Sequence, residues 1–409
     1  MADIRDPIHG FIEIGDFESI IDCRAFQRLR RIRQLARADL VYPGLMHSRF
    51  EHSLGVMHVA QEMAEKLGIA GHDKKILKAA ALLHDVGHGP FSHVFESASN
   101  LDHAEITKKI ILEDRELDAA FRTLGIGPRE IIRIFSKDSI LKQIINSPLD
   151  ADKIDYLQRD SYHTKVAYGL FDYDLLLHTL HIIDDSHGKY LGLLEKGSIN
   201  ALSFVLARHM MFVQVYHHKV RRITDNMLVR AIKQARLDGL LPPDLFDIRS
   251  SAFLECYLAH DDDKICQKAM SKDGLARRIF SDIQDRRLFK IAYRLPIDNT
   301  LDAPKRDRLD RLRDDDAGKT DLEKKIAETS KMNPEDIIID MLNEKTPFNP
   351  FRSDETQILI KMDNGKILPL SEAQPLQSRT PYVKDLMVIC PGNCREQVRR
   401  AAKDVIEAF

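Results

Sequence analysis

Apolar positions recur every three to four residues through most of the first 295 positions of the chain, which is the repeat of helices with one buried face. Between Ser53 and Leu67, the residues Leu54, Met57, Ala60 or Gln61, and Ala64 step round one face, with Val56, Val59 and Met63 beside them. The spacing predicts a helix there. It predicts further helices over Lys74 to Leu83, Leu101 to Leu112, Pro128 to Phe135, Ile140 to Ile145, Asp155 to His163, Ile199 to Tyr216 and Thr224 to Leu237. Asp22 to Arg37 also reads as one helix, with Phe26, Leu29, Ile32 and Leu35 or Ala36 inward. Its other face carries Arg24, Arg28, Arg30, Arg31, Arg33 and Arg37, either a solvated basic face or a surface that meets phosphate. Strand signals are few: a turn at Asp6 to Gly10 feeds a short extended piece, Phe11 to Ile14.

The pattern changes after Ala303. Residues 305–316 carry ten charges in twelve positions, the composition of a solvated helix or a mobile linker. Beyond them the period shifts towards two. Asp336 to Met341 is isoleucine-rich, and Val383 to Cys390 reads as a strand. Gln357 to Met362 and Lys366 to Leu370 flank Asp363-Asn364-Gly365, and Asn-Gly is a strong hairpin signal. Cys394 to Phe409 is a closing helix. The expected fold is mainly α: a helical domain over residues 1–300, a charged linker or helix at 301–325, and a small α+β domain at 326–409.

Composition narrows the class. The 409 residues are 44% hydrophobic, enough for a sizeable core, and the formal net charge of −2 excludes a strongly basic coat for nucleic acid, though not a local basic cleft. Five cysteines exclude a disulfide scaffold, and Cys390 and Cys394 lack the spacing and the second pair of a zinc site. No apolar run approaches the roughly 18 residues of a membrane span, and the N-terminus shows no signal peptide. A cytoplasmic protein with reduced thiols is expected.

Eight of the seventeen histidines lie between His47 and His103. His52 stands just before a predicted helix, His84 and Asp85 are adjacent at the end of the next one, and a carboxylate pair, Asp150 and Asp152, follows. Each histidine can also be read as a helix cap or a core residue, and for His84 alone that reading is the better one. Together, imidazole and carboxylate suit a divalent cation, and a bound cation lowers the pKa of its water. The combination His52, His84, Asp85 and Asp152 is therefore expected to hold a metal.

This pattern resembles the signature of the HD phosphohydrolase superfamily. The surrounding text is narrower: Asp6-Pro7-Ile8-His9-Gly10, Phe26-Gln27-Arg28-Leu29-Arg30, His47-Ser48-Arg49-Phe50-Glu51-His52-Ser53-Leu54-Gly55, His84-Asp85-Val86-Gly87-His88-Gly89-Pro90-Phe91-Ser92-His93 and Asp152-Lys153-Ile154-Asp155-Tyr156-Leu157-Gln158-Arg159-Asp160. It resembles the dNTP triphosphohydrolases, in the branch of the mammalian SAM- and HD-domain dNTPase, densely over residues 4–240 and loosely over 325–409. The HD text begins near residue 4, so no SAM domain is expected.

The resemblance implies a metal held by His52, His84, Asp85 and Asp152, with Fe, Mn, Zn, Ni or Mg all admissible and a second Mg entering with the nucleotide. His93 matches the histidine that protonates the leaving 5′-oxygen, and His103 a second catalytic histidine. Glu96 stands where relatives carry Asp; on a helix it shares a face with His93. Arg49, His88, Lys153 and Arg208 match the triphosphate contacts, and Gln34, Leu35, Tyr156, Asp160 and Tyr216 the surroundings of the deoxyribose. Asp22, Gln27 and Arg30 match residues that read guanine at a regulatory site between subunits, while Leu194 falls near a position where relatives have a cation. The expected activity is hydrolysis of dNTP to deoxynucleoside and triphosphate by a homo-oligomer, dimer or tetramer, with a guanine nucleotide as activator. The rival readings are an HD-type nucleotidase, phosphodiesterase or single-strand nuclease, and a nucleotide or nucleic-acid binding protein with a vestigial site.

Overall fold

The computed structural model describes residues 3–185, 188–298, 300–342, 358–375 and 384–409. The helices that build the site are α1 (Arg49–Lys66), α2 (Gly71–Leu83), α3 (His93–Ser99), α4 (His103–Glu113), α5 (Ala151–Thr164), α6 (Ser198–Met211), α7 (Lys219–Leu237) and α8 (Asp262–Ala269). Among the described residues, no helix is long and apolar enough to cross a membrane.

The apolar period located α1, but the helix begins four residues earlier than Ser53. Its first turn carries Arg49 and His52, which are 2% and 1% exposed. His52 therefore lies inside the helix rather than before it. Polar residues facing inward hide a helix start from a hydrophobic pattern. The start of α5 has a local cause: Asp150 is its N-cap and accepts the Lys153 N–H at 2.8 Å, satisfying a donor with no partner inside the helix. After α6 the chain makes one wider π turn, Phe212–Tyr216, a geometry frequent at functional sites.

The single helix expected over Asp22 to Arg37 is not formed. The segment breaks into a short helix, Arg24–Gln27, and a 3-10 turn, Arg28–Arg31, and Ala36 has φ +47. The chain leaves helical geometry at Ile32, which is extended, and Arg28 is wholly buried rather than on a solvated face. Its guanidinium donates to the carbonyls of His260 (2.8 Å) and His88 (2.9 Å) and lies 4.7 Å from the Tyr257 ring.

The strands are β1 (Asp3–Asp6), β2 (Gly10–Glu13), β3 (Leu180–Asp185), β4 (Gly188–Leu194), β5 (Lys290–Pro296), β6 (Ile338–Met341), β7 (Leu359–Lys361), β8 (Ile367–Pro369) and β9 (Asp385–Cys390). They form a β1-β2 ribbon, a sheet in the order β3-β4-β7-β8, and a sheet in the order β5-β9-β6. All pairings are antiparallel except β4 with β7. The expected hairpin is β7–β8, with Gly365 at φ +84 in its turn; the outer bounds placed at Gln357 and Val383 lie outside the described residues. The hairpin follows residue 326 yet packs on the helical block through Ile358, Ile360 and Leu370. Conversely, β5 precedes residue 300 yet pairs with β9. The charged run forms a helix, Ala303–Leu312, anchored by buried Leu309 and Leu312 in an apolar cluster separate from that of the helical block, with α9 (Asp316–Ser330) and α10 (Arg395–Ala408).

Candidate metal and phosphate site

Three elements bring the expected ligands together. His52 comes from α1, His84 and Asp85 from the end of α2, and Asp152 from the first turn of α5. Donor atoms of His52, His84 and Asp85 all lie within 4.8 Å of one another. Asp152 Oδ1 is 3.0 Å from His52 Nε2 and 3.8 Å from His84 Nε2. Asp150 does not join them: as the α5 cap it holds Lys153 Nζ at 2.7 Å instead.

The second ring nitrogens fix which atoms are free to ligate. The Nδ1–H of His84 donates to the Ala81 carbonyl at 2.8 Å, and the Nδ1–H of His52 donates to Asp155 Oδ2 at 2.7 Å. A carbonyl or an ionised carboxylate only accepts, so in the neutral tautomers both Nε2 atoms present lone pairs. Both Nε2 atoms are buried and face the carboxylates of Asp85 and Asp152. The donor set therefore fits a divalent cation. Burial opposes charge on His52, but its hydrogen bonds to Asp152 and Asp155 outweigh that and raise its pKa to about 10. Burial likewise opposes ionisation of Asp85, and the Arg49 guanidinium, His84 and His88 hold it well below the carboxylate range.

Behind this group lies a layer without an expected role. Asp155, wholly buried, receives Arg159 through Nε at 2.9 Å and Nη2 at 2.8 Å and accepts His9 Nε2 at 2.7 Å. Arg159 Nη1 also reaches Asp6 at 2.7 Å. The signal was present, since Asp155 follows Asp152 by three residues on one helix and His9 and Asp6 belong to a quoted motif. Gly55 allows this layer to pack: a Cβ there would lie 1.8 Å from Asp155 Oδ1.

The residues expected to handle protons form a second group. Glu96 Oε2 lies 2.5 Å from His93 Nδ1, and Oε1 accepts from both the ring Nδ1 and the backbone N–H of His103. The extra methylene of Glu thus lets one carboxylate hold two imidazoles. Burial would raise the Glu96 carboxyl, but the bonds from His103 and His93 hold it well below its usual range. His88 stacks on His103 with centroids 3.8 Å apart. Burial, then the Arg49 guanidinium, push its pKa well below the imidazole range. His88 Nε2 is 3.3 Å from Asp85 Oδ1, so the two groups adjoin. Arg49 spans them as well, with Nη1 on Asp85 and Nε on Ser92 Oγ at 2.8 Å.

The other expected residues sort into clusters. Tyr216 donates to Asp160 Oδ2 at 2.6 Å, and the Tyr156 and Tyr216 rings lie 6.1 Å apart. Arg208 bonds to Tyr156 and lies over the Phe212 ring. His47, to which no role was given, approaches Asp160 Oδ1 at 2.9 Å. The Gln34 N–H donates to the His47 carbonyl, its Oε1 is buried without a partner, and Leu35 is half-buried beside it. A cavity of about 610 Å³ adjoins the site through Gln34, Ser92 and His93, and the four metal-site residues do not line it. Elsewhere, Gln27 accepts from Arg30 at 2.9 Å, Arg30 covers the Phe50 ring, and Asp22 is exposed. Leu194 ends β4.

A helical domain built round a histidine–aspartate cluster that could hold a metal is the class that this fold and site define. The HD-domain profile matches residues 49–160, and the profile of the HD-associated region matches residues 171–408, more than half of the chain. The chain belongs to the family of HD-domain proteins that carry an HD-associated region. An uncharacterized protein of Bacillus subtilis, YwfO, is 37% identical over 244 residues, covering 57% of this chain and 55% of that protein. A Dictyostelium discoideum protein named deoxynucleoside triphosphate triphosphohydrolase SAMHD1 homolog is 30% identical over 315 residues, covering 70% of this chain and 59% of that protein. The chain thus spans just over half the length of these curated relatives. The crystal structure of a phosphohydrolase from Bacteroides thetaiotaomicron superposes with a TM-score of 0.75 at 25% identity, covering 96% of this chain and all of that one.

Proposed function

We propose that this chain is a metal-dependent dNTP triphosphohydrolase. The observation that carries the reading is the direct contact between the two groups: Asp85 in the ligand set touches His88, which stacks on the His103 bound by Glu96. A centre for phosphate charge and a source of a proton therefore meet at one place. The name of the Dictyostelium relative supports the same substrate class.

A divalent cation held by His52, His84, Asp85 and Asp152 would supply positive charge and acidify a water. Arg49, Lys153 and Arg208 meet the oxygens of the triphosphate, Arg49 and Arg208 as planar forks and Lys153 as a point charge. Water adds to the α-phosphorus and the bond to the 5′-oxygen breaks. His93 delivers a proton to that oxygen from Nε2, while Glu96 fixes its Nδ1 side. The products are a deoxynucleoside and inorganic triphosphate. Asp160 accepts from the 3′-hydroxyl, and Leu35 and Tyr216 pack against C2′, leaving a ribose hydroxyl without a partner and therefore disfavoured. Asp22, Gln27 and Arg30 bind a guanine nucleotide in a homo-oligomer under the same reading.

Asp152→Ala tests the proposal. It is expected to remove bound metal and turnover together while far-ultraviolet circular dichroism stays that of the wild type. Turnover that survives without metal contradicts the reading.

A further inference from the structure

The HD-associated region reaches the catalytic turn through one carboxylate. Asp262, the first residue of α8, is 6% exposed. Its Oδ1 accepts the Phe91 N–H at 2.6 Å, and its Oδ2 accepts the Arg33 N–H at 3.0 Å. These donors belong to two separate segments. Phe91 lies two residues before His93, and Arg33 immediately precedes Gln34.

The turn that Asp262 holds is strained. Phe91 and Ser92 both have φ +59, a region costly for residues with a Cβ. Such a conformation persists only where its surroundings fix it. Besides Asp262, Ser92 Oγ donates to the Arg33 carbonyl at 2.7 Å and accepts from Arg49 Nε. Neighbouring contacts run the same way: Tyr257 donates to the Gly87 carbonyl at 2.8 Å, and Arg28 bridges His260 to His88. The acceptor site itself is an expensive place for a carboxylate, since burial pushes the Asp262 pKa up to about 7. Two diverging N–H donors need two acceptor oxygens. Asparagine has one, and its NH2 group would face the other donor.

We propose that Asp262 is a positioning residue, holding the strained turn that presents His93 in register with the segment that carries Gln34. The kinetic part of this inference rests on the proposed reaction; the structural part does not.

Hydrogen exchange and kinetics test it together. In the wild type, the Phe91 and Arg33 amides are expected to be protected far beyond other turn amides. In Asp262→Asn, exchange across residues 88–99 is expected to rise while bound metal is unchanged. On dATP, kcat is expected to fall about 10²-fold, the scale of a misplaced catalytic group. On bis(p-nitrophenyl) phosphate, whose leaving group needs no proton, the loss is expected to be small. Unprotected amides in the wild type, or equal loss on both substrates, overturn the proposal. A wild type that leaves dATP intact overturns the reaction instead, and the amide protection, read on the wild type, still decides the role of Asp262 if the variant does not fold.

Discussion

Asp155 Oδ2 lies 2.7 Å from His52 Nδ1, and Arg159 grips the same carboxylate through two further bonds. This pair aims His52 Nε2 at the ligand group from behind. In Asp155→Asn the anion that orients His52 is lost, and the buried Arg159 keeps only Asp6 as a charged partner. Metal affinity is expected to fall about 10–100-fold, and the metal-free protein to lose about 3 kcal/mol. A chelator competition titration and urea unfolding check the two effects.

Gly55 gives an independent probe of the same layer. Gly→Ala inside an ordinary exposed helix gains about 1 kcal/mol. Here the new Cβ would meet Asp155 Oδ1 at 1.8 Å and Arg159 Nη2 at 2.5 Å. Gly55→Ala is therefore expected to destabilise by about 1–3 kcal/mol and to weaken metal binding. A stabilised protein, measured by urea unfolding, contradicts the packing described.

The His52 pKa of about 10 sets a pH dependence in the metal-free protein. The folded value lies above the unfolded one, near 6.5. The native state therefore binds more protons between those values, and stability falls as pH rises. This contribution is fully present below about pH 6.5 and is lost as pH rises through about 10. Metal binding has the opposite sign, because the ligand must be neutral. At pH 7 each bound cation is expected to displace about one proton from His52, readable by calorimetry in buffers of different ionisation enthalpy. Affinity independent of pH between 6 and 8 contradicts it.

Arg222 ties α7 to the C-terminal sheet. It reaches Asp340 at 2.7 Å and Asp385 at 2.8 Å, and Arg294 also meets Asp385 at 2.5 Å. Removing one partner of a buried ion pair costs about 3–5 kcal/mol. Arg222→Ala is expected to cost that much in urea unfolding while bound metal is unchanged, because its side chain bonds to Asp340 and Asp385 and to none of His52, His84, Asp85 or Asp152.

The helices and the histidine–aspartate cluster were legible because their signals are local. Apolar periodicity marks α1, α2 and α5, and the pairing of His84 with Asp85 is visible in two adjacent letters. What stayed hidden depends on distant partners. Asp155 meets His9 across 146 residues and Asp262 meets Phe91 across 171, so neither contact leaves a spacing to read. Arg28 misled the pattern for the same reason: a charged residue counts as outward until Tyr257 and His260 arrive to bury it. The β3–β4 strands escaped because their short alternation is weak without β7 beside them. Asp150 and Asp152 look alike in the sequence, and only the start of α5 separates the cap from the residue that joins His52 and His84.

The central claim is the bond that breaks. The direct measurement is incubation of the metal-loaded protein with each dNTP and NTP, with and without GTP, with products resolved by ion exchange. The reading predicts a deoxynucleoside and intact inorganic triphosphate from dNTPs, little from NTPs, and faster turnover with GTP. Release of monophosphate with pyrophosphate, or no turnover of any triphosphate by protein that holds metal, contradicts it.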